Sequence, residues 1–441
     1  MNTDADFAVV GGGLLGLTLA LRLGQRGHRV ILFEASPEPG GLASSWQLDG
    51  VRWDRFYHVI LRSDRALLAL LTELELEGAV VWRQTRTGFY ANGRLYSVSD
   101  SLEFLRFPAL SLADKVRLAA TIAYAARIKN WQRLERIPIE QWLVKLSGRS
   151  TYERFWRPLL RAKLGENYRN VSAAFIWATI ARMYSARGRG LKRETFGYVR
   201  GGYATVLSRL TDRLRSLAVQ LRLGEPVASV WAGESGTVSV RTAGGKTVRC
   251  RKAVLTVPTP VAARLCSDLR AQERERLSGL AYQGVVCASL LLREPLGPYY
   301  ITNITDDGLP FTGVIEMGAL VDRSELGGRS LVYLPRYLSR EDPLWNCDDS
   351  VLQDQFLRGL RRMYPDFDPR LVEAFRIARA RYVQALPVLE YSRRWAPPMT
   401  TSVPNVFLIT GAQIVNGTLN ANETVGLAES AAKALLGQTA A

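Results

Sequence analysis

The most constraining feature is at the start of the chain, where DFAVV (6–10) runs into GGGLLG and then into LLGLTLALRLGQRG and HRVILFE. A short run rich in β-branched residues, a glycine turn, apolar positions at helical spacing and a second apolar run spell strand, turn, helix, strand. That is a βαβ unit with parallel strands. Gly11, Gly13 and Gly16 form G-x-G-x-x-G: the first glycine permits the turn, the second lets backbone approach a pyrophosphate, and the third lets helix and strand pack closely. The helix start, with the backbone of Leu14 and Leu15, offers free N–H groups and a partial positive charge to phosphates. Glu34 ends the second strand, beside Ala35, where a carboxylate accepts the hydrogen bonds of a ribose diol.

A second glycine pair, Gly40 and Gly41 in PEPGGLASS, followed by Leu42, exceeds what NAD requires and suits a longer ligand whose pyrophosphate meets a second stretch of backbone. The combined string resembles the FAD signature of the flavoprotein superfamily that includes amine oxidases, protoporphyrinogen oxidase, phytoene desaturases and UDP-galactopyranose mutase. Leu42 departs from it, since some members carry a basic residue there. RGGYATVLSRLTDRL (200–214) resembles the family's second glycine pair and helix. EPVASVW (225–231) is similar to the segment whose backbone, around Val227, meets adenine, and KAVLTVPTPVAARL (252–265) to the strand returning beneath the flavin. NVFLITGAQIVNGTLNANETVGLAESAAKALL (405–436) resembles the C-terminal strand and helix that close over the ring.

That last helix has a physical rationale, because a helix N-terminus stabilises negative charge on a reduced flavin. Asn420 and Glu423 are spaced as a capping pair, and the backbone of Thr424 and Val425 is the expected flavin contact. The paired aromatics that flank the ring in amine oxidases are missing from ITGAQIVNGTLNANET, which argues against a substrate amine.

The resemblance implies an α/β fold: a discontinuous Rossmann-type FAD-binding domain with an α+β substrate domain carrying a helical insert. The expected division assigns 1–66, 195–270 and 396–441 to the FAD domain, 67–194 to a helical cap and 271–395 to the substrate sheet and helix. The chain, at 441 residues, is past the size at which one core keeps growing.

WDRFYHVIL (53–61) carries one of two histidines. If it runs extended, Asp54, Phe56, His58 and Ile60 share a face. UDP-galactopyranose mutase resembles it in having a histidine-bearing segment there. His58 is the candidate catalytic residue, as a flavin hydrogen-bond partner or a proton acceptor for substrate, the alternative being a buried ring satisfied by a carbonyl. Arg55 is a candidate substrate or pyrophosphate contact, or else an exposed strand-edge arginine. In YERFWRPLLRAKLGENY (152–168), Phe155, Trp156 and Leu159 are expected in the insert core, leaving Arg157, Arg161 and Lys163 as candidates for a phosphate or carboxylate.

The formal charge of +17 points to an anionic partner: a phosphorylated or acidic small molecule, or an anionic membrane surface. Its densest pieces, at 186–194 and 357–365, are short and lack an aromatic-and-basic recognition module, so no nucleic acid is expected. Helices around 111–131 and 171–184 are candidates for a lipid-facing mouth. The four scattered cysteines fit free core thiols and no metal site. MNTDADFAVV has acidic residues where a signal peptide needs basic ones, and no run reaches roughly 18 apolar residues. A cytoplasmic protein, at most peripheral to a membrane, is expected.

The implied activity is a two-electron dehydrogenation or desaturation of a lipophilic, isoprenoid- or tetrapyrrole-like, substrate with oxygen or a quinone as acceptor. A redox-neutral isomerase acting on a nucleotide sugar and a non-catalytic flavin scaffold are the alternatives.

Overall fold

A computed structural model describes residues 3–186 and 194–437, so most of the basic piece at 186–194 lies outside the described residues. Among the described residues are two seven-stranded sheets. In the first, Ala5–Val10 sits between Val30–Glu34 and Thr247–Leu255, parallel to both. Gln220–Leu223 extends one side, and Val238–Thr242 and Val227–Ala232 extend the other. The long strand Thr247–Leu255 is shared: its first half pairs with Val238–Thr242 and its second half with Val406–Leu408. Three distant stretches of chain thus build one sheet, the expected discontinuous arrangement. Helix Leu14–Gln25 packs on it with Gly202–Ser216 and Ala421–Leu435, burying Leu17, Val206 and Val425 in one core.

The second sheet runs in the order Val372–Ala385, Tyr282–Leu292, Ser330–Leu338, Gly313–Glu316, Ile301–Ile304, Thr87–Ala91, Arg94–Ser97. Every residue of Tyr282–Leu292 is buried, because the strand has apolar cover on both sides. Val285, Cys287 and Leu291 point to a core shared with Trp53 and Tyr198, and Val286, Ala288 and Leu290 to one shared with Phe356 of helix Asp349–Met363.

Within the segment from 67 to 194, expected to be mostly helical, strands were not foreseen at 80–97. Val80–Gln84 pairs with Thr195–Val199, and Thr87–Ala91 and Arg94–Ser97 form a hairpin on the second sheet. Its turn is Asn92-Gly93, both at positive φ (51° and 72°), the conformation a two-residue hairpin requires. After helix Arg65–Glu73 and these strands, the helices from Ser101–Arg106 onward surround a separate core of Phe107, Trp142, Tyr152, Trp156 and Leu160, with Phe155 and Leu159 packed against it as expected. Helix Ala173–Ala186 buries Phe175, Ile176 and Ile180 in that core, and Tyr184 is its exposed large apolar side chain among the described residues.

Candidate functional site

The glycine turn is built by contact as much as by conformation. Gly11 holds φ +116°, and a Cβ on Gly16 would come within 2.0 Å of the Gly11 carbonyl oxygen. Thr256, just past the strand Thr247–Leu255, donates its hydroxyl to the carbonyls of Val10 and Gly11. Gly12 is constrained as well: a Cβ there would meet the Glu34 side chain at 2.8 Å. Glu34 accepts the Gly12 amide at 2.6 Å on one oxygen and the Ser36 amide at 2.8 Å on the other. Each oxygen therefore keeps a lone pair for another donor. Thr256 and Gly12 were not singled out from sequence, although the uninterrupted GGG was a signal for the latter.

Gly40 and Gly41 fold back onto the turn. The Gly40 amide donates to the Gly12 carbonyl at 2.8 Å, and a Cβ on Gly41 would lie 3.2 Å from the Gly13 Cα. A Cβ on Gly40 would meet the Leu207 side chain at 2.6 Å and the Ser44 backbone at 3.0 Å, so close packing demands the pair's glycines. Beyond Gly13 the space is open: a Cβ there would meet only the Gly41 Cα, at 4.0 Å. Leu14 and Leu15 turn their side chains into the core, and helix Leu14–Gln25 starts without a capping side chain. Ala35 is exposed, Leu42 half-buried, and Val227 half-buried at the start of a strand tied to Glu34 through the Glu225 amide.

At helix Ala421–Leu435 the Asn420 side chain accepts the Glu423 amide at 3.0 Å, the expected cap. The Thr424 amide, however, donates to the Asn420 carbonyl at 3.0 Å. Val425 lies one residue deeper and is fully buried. Helical bonding thus consumes these amides, and the donors left at this terminus are those of Ala421 and Asn422. The Asn422 side chain is itself engaged, capping helix Arg65–Glu73 at Ala66 and Leu67.

WDRFYHVIL is not extended throughout. The strand stops at Asp54, and His58 Nδ1 comes back to 3.4 Å from Asp54 Oδ2. Four extended residues would separate them by about 13 Å. Asp54 is buried and acts as a knot: Oδ1 accepts the Tyr203 amide at 2.8 Å, and its carbonyl accepts the Tyr333 hydroxyl from the second sheet. Gly202 is required here, since a Cβ would meet Asp54 Oδ1 at 2.8 Å. The His58 ring packs on Tyr203, 4.8 Å between centroids, and keeps 19% exposure although its Nδ1 is closed off. Burial, reinforced by the Asp54 carboxylate, raises the Tyr203 phenol well above its usual range.

An open backbone cradle at an uncapped helix start and a carboxylate with free lone pairs at the strand end fit the pyrophosphate and ribose of FAD. Comparison with known families matches residues 16–419 to the flavin containing amine oxidoreductases. The chain belongs to that family. Its cofactor is a flavin. Among curated relatives, it is 25% identical over 213 residues to a probable zeta-carotene desaturase of Synechococcus elongatus, covering 42% of this chain and 43% of that one. Protoporphyrinogen oxidase 1, chloroplastic, of Spinacia oleracea is 24% identical over 317 residues, covering 65% and 56%. The chain thus spans about half the length of the curated relatives it matches. A putative protoporphyrinogen oxidase from Exiguobacterium sp. 255-15 superposes with a TM-score of 0.77 over 99% of this chain and 100% of that one at 18% identity. Reduced UDP-galactopyranose mutase does so at 0.75 over 98% and 96% at 16% identity. At these identities the superpositions establish the fold.

In this flavoprotein the arginine candidates separate. Arg55 is exposed and lies over the Trp46 ring at 5.2 Å. Arg157 is exposed. Arg161 is exposed and forms ion pairs with Glu166 (2.9 Å) and the exposed Asp307 (3.4 Å). On the same helix Lys163 instead reaches Tyr337 of the second sheet, at 2.9 Å from its hydroxyl.

Proposed function

We propose that the protein is an FAD-dependent dehydrogenase or desaturase of a lipophilic small molecule, with His58 exchanging a proton with substrate. One observation carries the reading: the segment leaving the dinucleotide turn is knotted through Asp54 to the second sheet, where half-buried apolar side chains collect. Phe56, Val59, Met183, Ala380 and Val383 line the edge of that core without being covered by it. FAD, when bound, supplies the two-electron acceptor. The residues that would hold it are the backbone from Gly11 to Gly16 for the pyrophosphate, Glu34 for the ribose, Val227 for the adenine, and the Ala421 and Asn422 amides for the ring. Asp54 orients His58 so that the accessible part of the ring faces open space, and the apolar walls keep water from the reacting carbon.

The test is anaerobic addition of lipophilic candidates to the purified flavoprotein. Substrate-dependent bleaching of the oxidised flavin band supports the reading, and in His58→Ala that bleaching slows while the flavin stays bound. A compound that turns over only after prior reduction of the flavin overturns it in favour of a redox-neutral isomerase.

We also infer contact with an anionic membrane surface. Leu102, Leu105, Leu112, Val116 and Tyr124 on helices Ser101–Arg106 and Leu112–Ala125 are each more than half exposed, with exposed Arg106, Arg117, Arg127 and Lys129 among them. Apolar insertion ringed by cations is the composition of an interfacial helix. No described helix is long and apolar enough to cross a membrane. Co-sedimentation with phosphatidylserine vesicles, weakened in Leu112→Glu, is the expected result, and equal sedimentation of both proteins overturns it.

A further inference from the structure

Three segments remote in sequence meet at one polar point that neither the dinucleotide turn nor the Asp54 knot uses. Tyr57 follows the strand Val51–Asp54, Tyr337 lies on Ser330–Leu338, and Lys163 lies on helix Arg157–Leu164 of the insert. The two phenol oxygens are 2.7 Å apart, and the Lys163 ammonium is 2.9 Å from the Tyr337 oxygen and 4.4 Å from that ring's centroid. Tyr333, four residues before Tyr337 and therefore on the same face of the strand, is fastened to the Asp54 carbonyl. The group is thus anchored to the His58 segment at two places. Around it the apolar side chains Phe56, Val59 and Met183 remain half-buried.

Counting protons shows what the cluster lacks. An ammonium only donates, so Lys163 gives a hydrogen bond to Tyr337. The two hydroxyls carry two protons, and the bond between them consumes one, whichever is the donor. Neither hydroxyl has another acceptor among the described residues, so one phenol proton is left to give. Burial pushes the Tyr337 phenol up to about 12, and burial together with the Tyr337 neighbour raises Tyr57 well above its ordinary value, so both stay protonated at neutral pH. The cluster therefore presents one positive charge and one unused O–H donor at the margin of an apolar wall. The ligand complementary to that is a monoanion with two acceptor oxygens and a hydrocarbon body.

We infer that Lys163, Tyr337 and Tyr57 form the polar anchor of the substrate site and bind the carboxylate of a lipophilic acid. One carboxylate oxygen faces the ammonium and the other takes the spare phenol proton, while the chain lies along Phe56, Val59 and Met183. This deepens the proposed function by naming the substrate's polar end, and rests on that reading only for the statement that the bound acid is what reacts. Arg161 and Arg157 need not contribute, since Arg161 is neutralised by its own carboxylate partners.

The experiment is calorimetric titration of the purified flavoprotein with dodecanoate, dodecanol and dodecyl phosphate. Dodecanoate is expected to bind at least tenfold more tightly than dodecanol. Lys163→Met and Tyr337→Phe remove that preference without weakening dodecanol, and Lys163→Arg restores part of it. Lys163 is exposed, so its replacement leaves the fold intact, and a melting curve verifies this. An unchanged preference in Lys163→Met, no binding of dodecanoate by the wild type, or tighter binding of dodecyl phosphate overturns the carboxylate anchor. Binding is read as heat and turnover as flavin bleaching. Dodecanoate that binds through Lys163 while no lipophilic compound bleaches the flavin leaves the anchor and removes the proposed function. Bleaching by a compound that binds equally to Lys163→Met does the reverse.

Discussion

The dinucleotide turn and the tyrosine–lysine anchor solve opposite problems. At the turn, nearly everything is backbone: Gly11, Gly12, Gly16 and Gly41 lie where a Cβ would collide with main chain or with a fixed neighbour, and Glu34 is held by two amides. At the anchor, everything is side chain, delivered by a loop, a strand and a helix that share no local pattern. The first site tolerates almost no change but is generic in what it binds. The second gives specificity and is open to change residue by residue, because each member sits on an element already stabilised by its own core.

The largest effect that distinguishes them is expected from Gly16→Ala. One methyl group is forced to 2.0 Å from the Gly11 carbonyl oxygen and 2.7 Å from Thr256, both fixed by the sheet beneath. The cost is about 3 kcal/mol or more, through strain in a packed turn. Flavin absorbance per protein and the melting temperature should fall together, and retention of both would show that the turn is not under backbone constraint.

Next in size is a pH effect confined to the second sheet. Glu316 is 2% exposed, accepts the Leu296 amide at 3.0 Å and is bonded to the Ser330 hydroxyl, and burial pushes its carboxyl up to about 7 despite those bonds. The fold therefore favours the protonated form. Its stabilising contribution is complete below the ordinary value of 4.5 and is lost as pH rises through 7, by about 3 kcal/mol at most. Glu316→Gln should flatten the fall of melting temperature between about pH 5 and 7.5. An unchanged slope would place the titrating group elsewhere.

Glu34→Ala should act chiefly on the cofactor. It removes the acceptor of the Gly12 and Ser36 amides and the partner of the ribose, at about 2 kcal/mol, or roughly thirtyfold in FAD affinity. Titration of the flavin-free protein with FAD measures it. An affinity within threefold of wild type would mean that the backbone cradle suffices.

The same contrast explains what was readable from sequence. The turn, the strand end at Glu34 and the Asn420 cap are local, each a relation among residues a few positions apart with one stereochemical solution. The hairpin at Asn92-Gly93 was equally local, yet the helical periodicity on both sides of it masked the turn. The extended condition set for WDRFYHVIL is not met beyond Asp54, because Asp54 is recruited by Tyr203 and Tyr333, far along the sequence, and draws His58 back with it. The Thr424 amide failed as a donor for a simpler reason: the capped helix starts where predicted, and its own first turn takes the bond. Tyr57 and Tyr337 meet across 280 positions, and nothing in either neighbourhood marks that pairing.

The smallest expected effect tests the anchor most economically. Arg161 and Lys163 are two residues apart on one helix, about 200° around its axis, and so face opposite ways. Leu160 and Leu164 fix the helix's rotation by burying into the insert core. Lys163 is thereby committed to Tyr337, and Arg161 to Glu166 and Asp307 at the surface. Exposed pairs of that kind contribute little, so Arg161→Ala should change stability by less than about 0.5 kcal/mol and leave dodecanoate affinity unaltered. Sequence alone ranks the arginine above the lysine as an anion binder, because its planar fork matches a carboxylate. Position reverses the ranking. A fall in dodecanoate affinity in Arg161→Ala equal to that in Lys163→Met would mean that both cations act through the general field of a +17 protein.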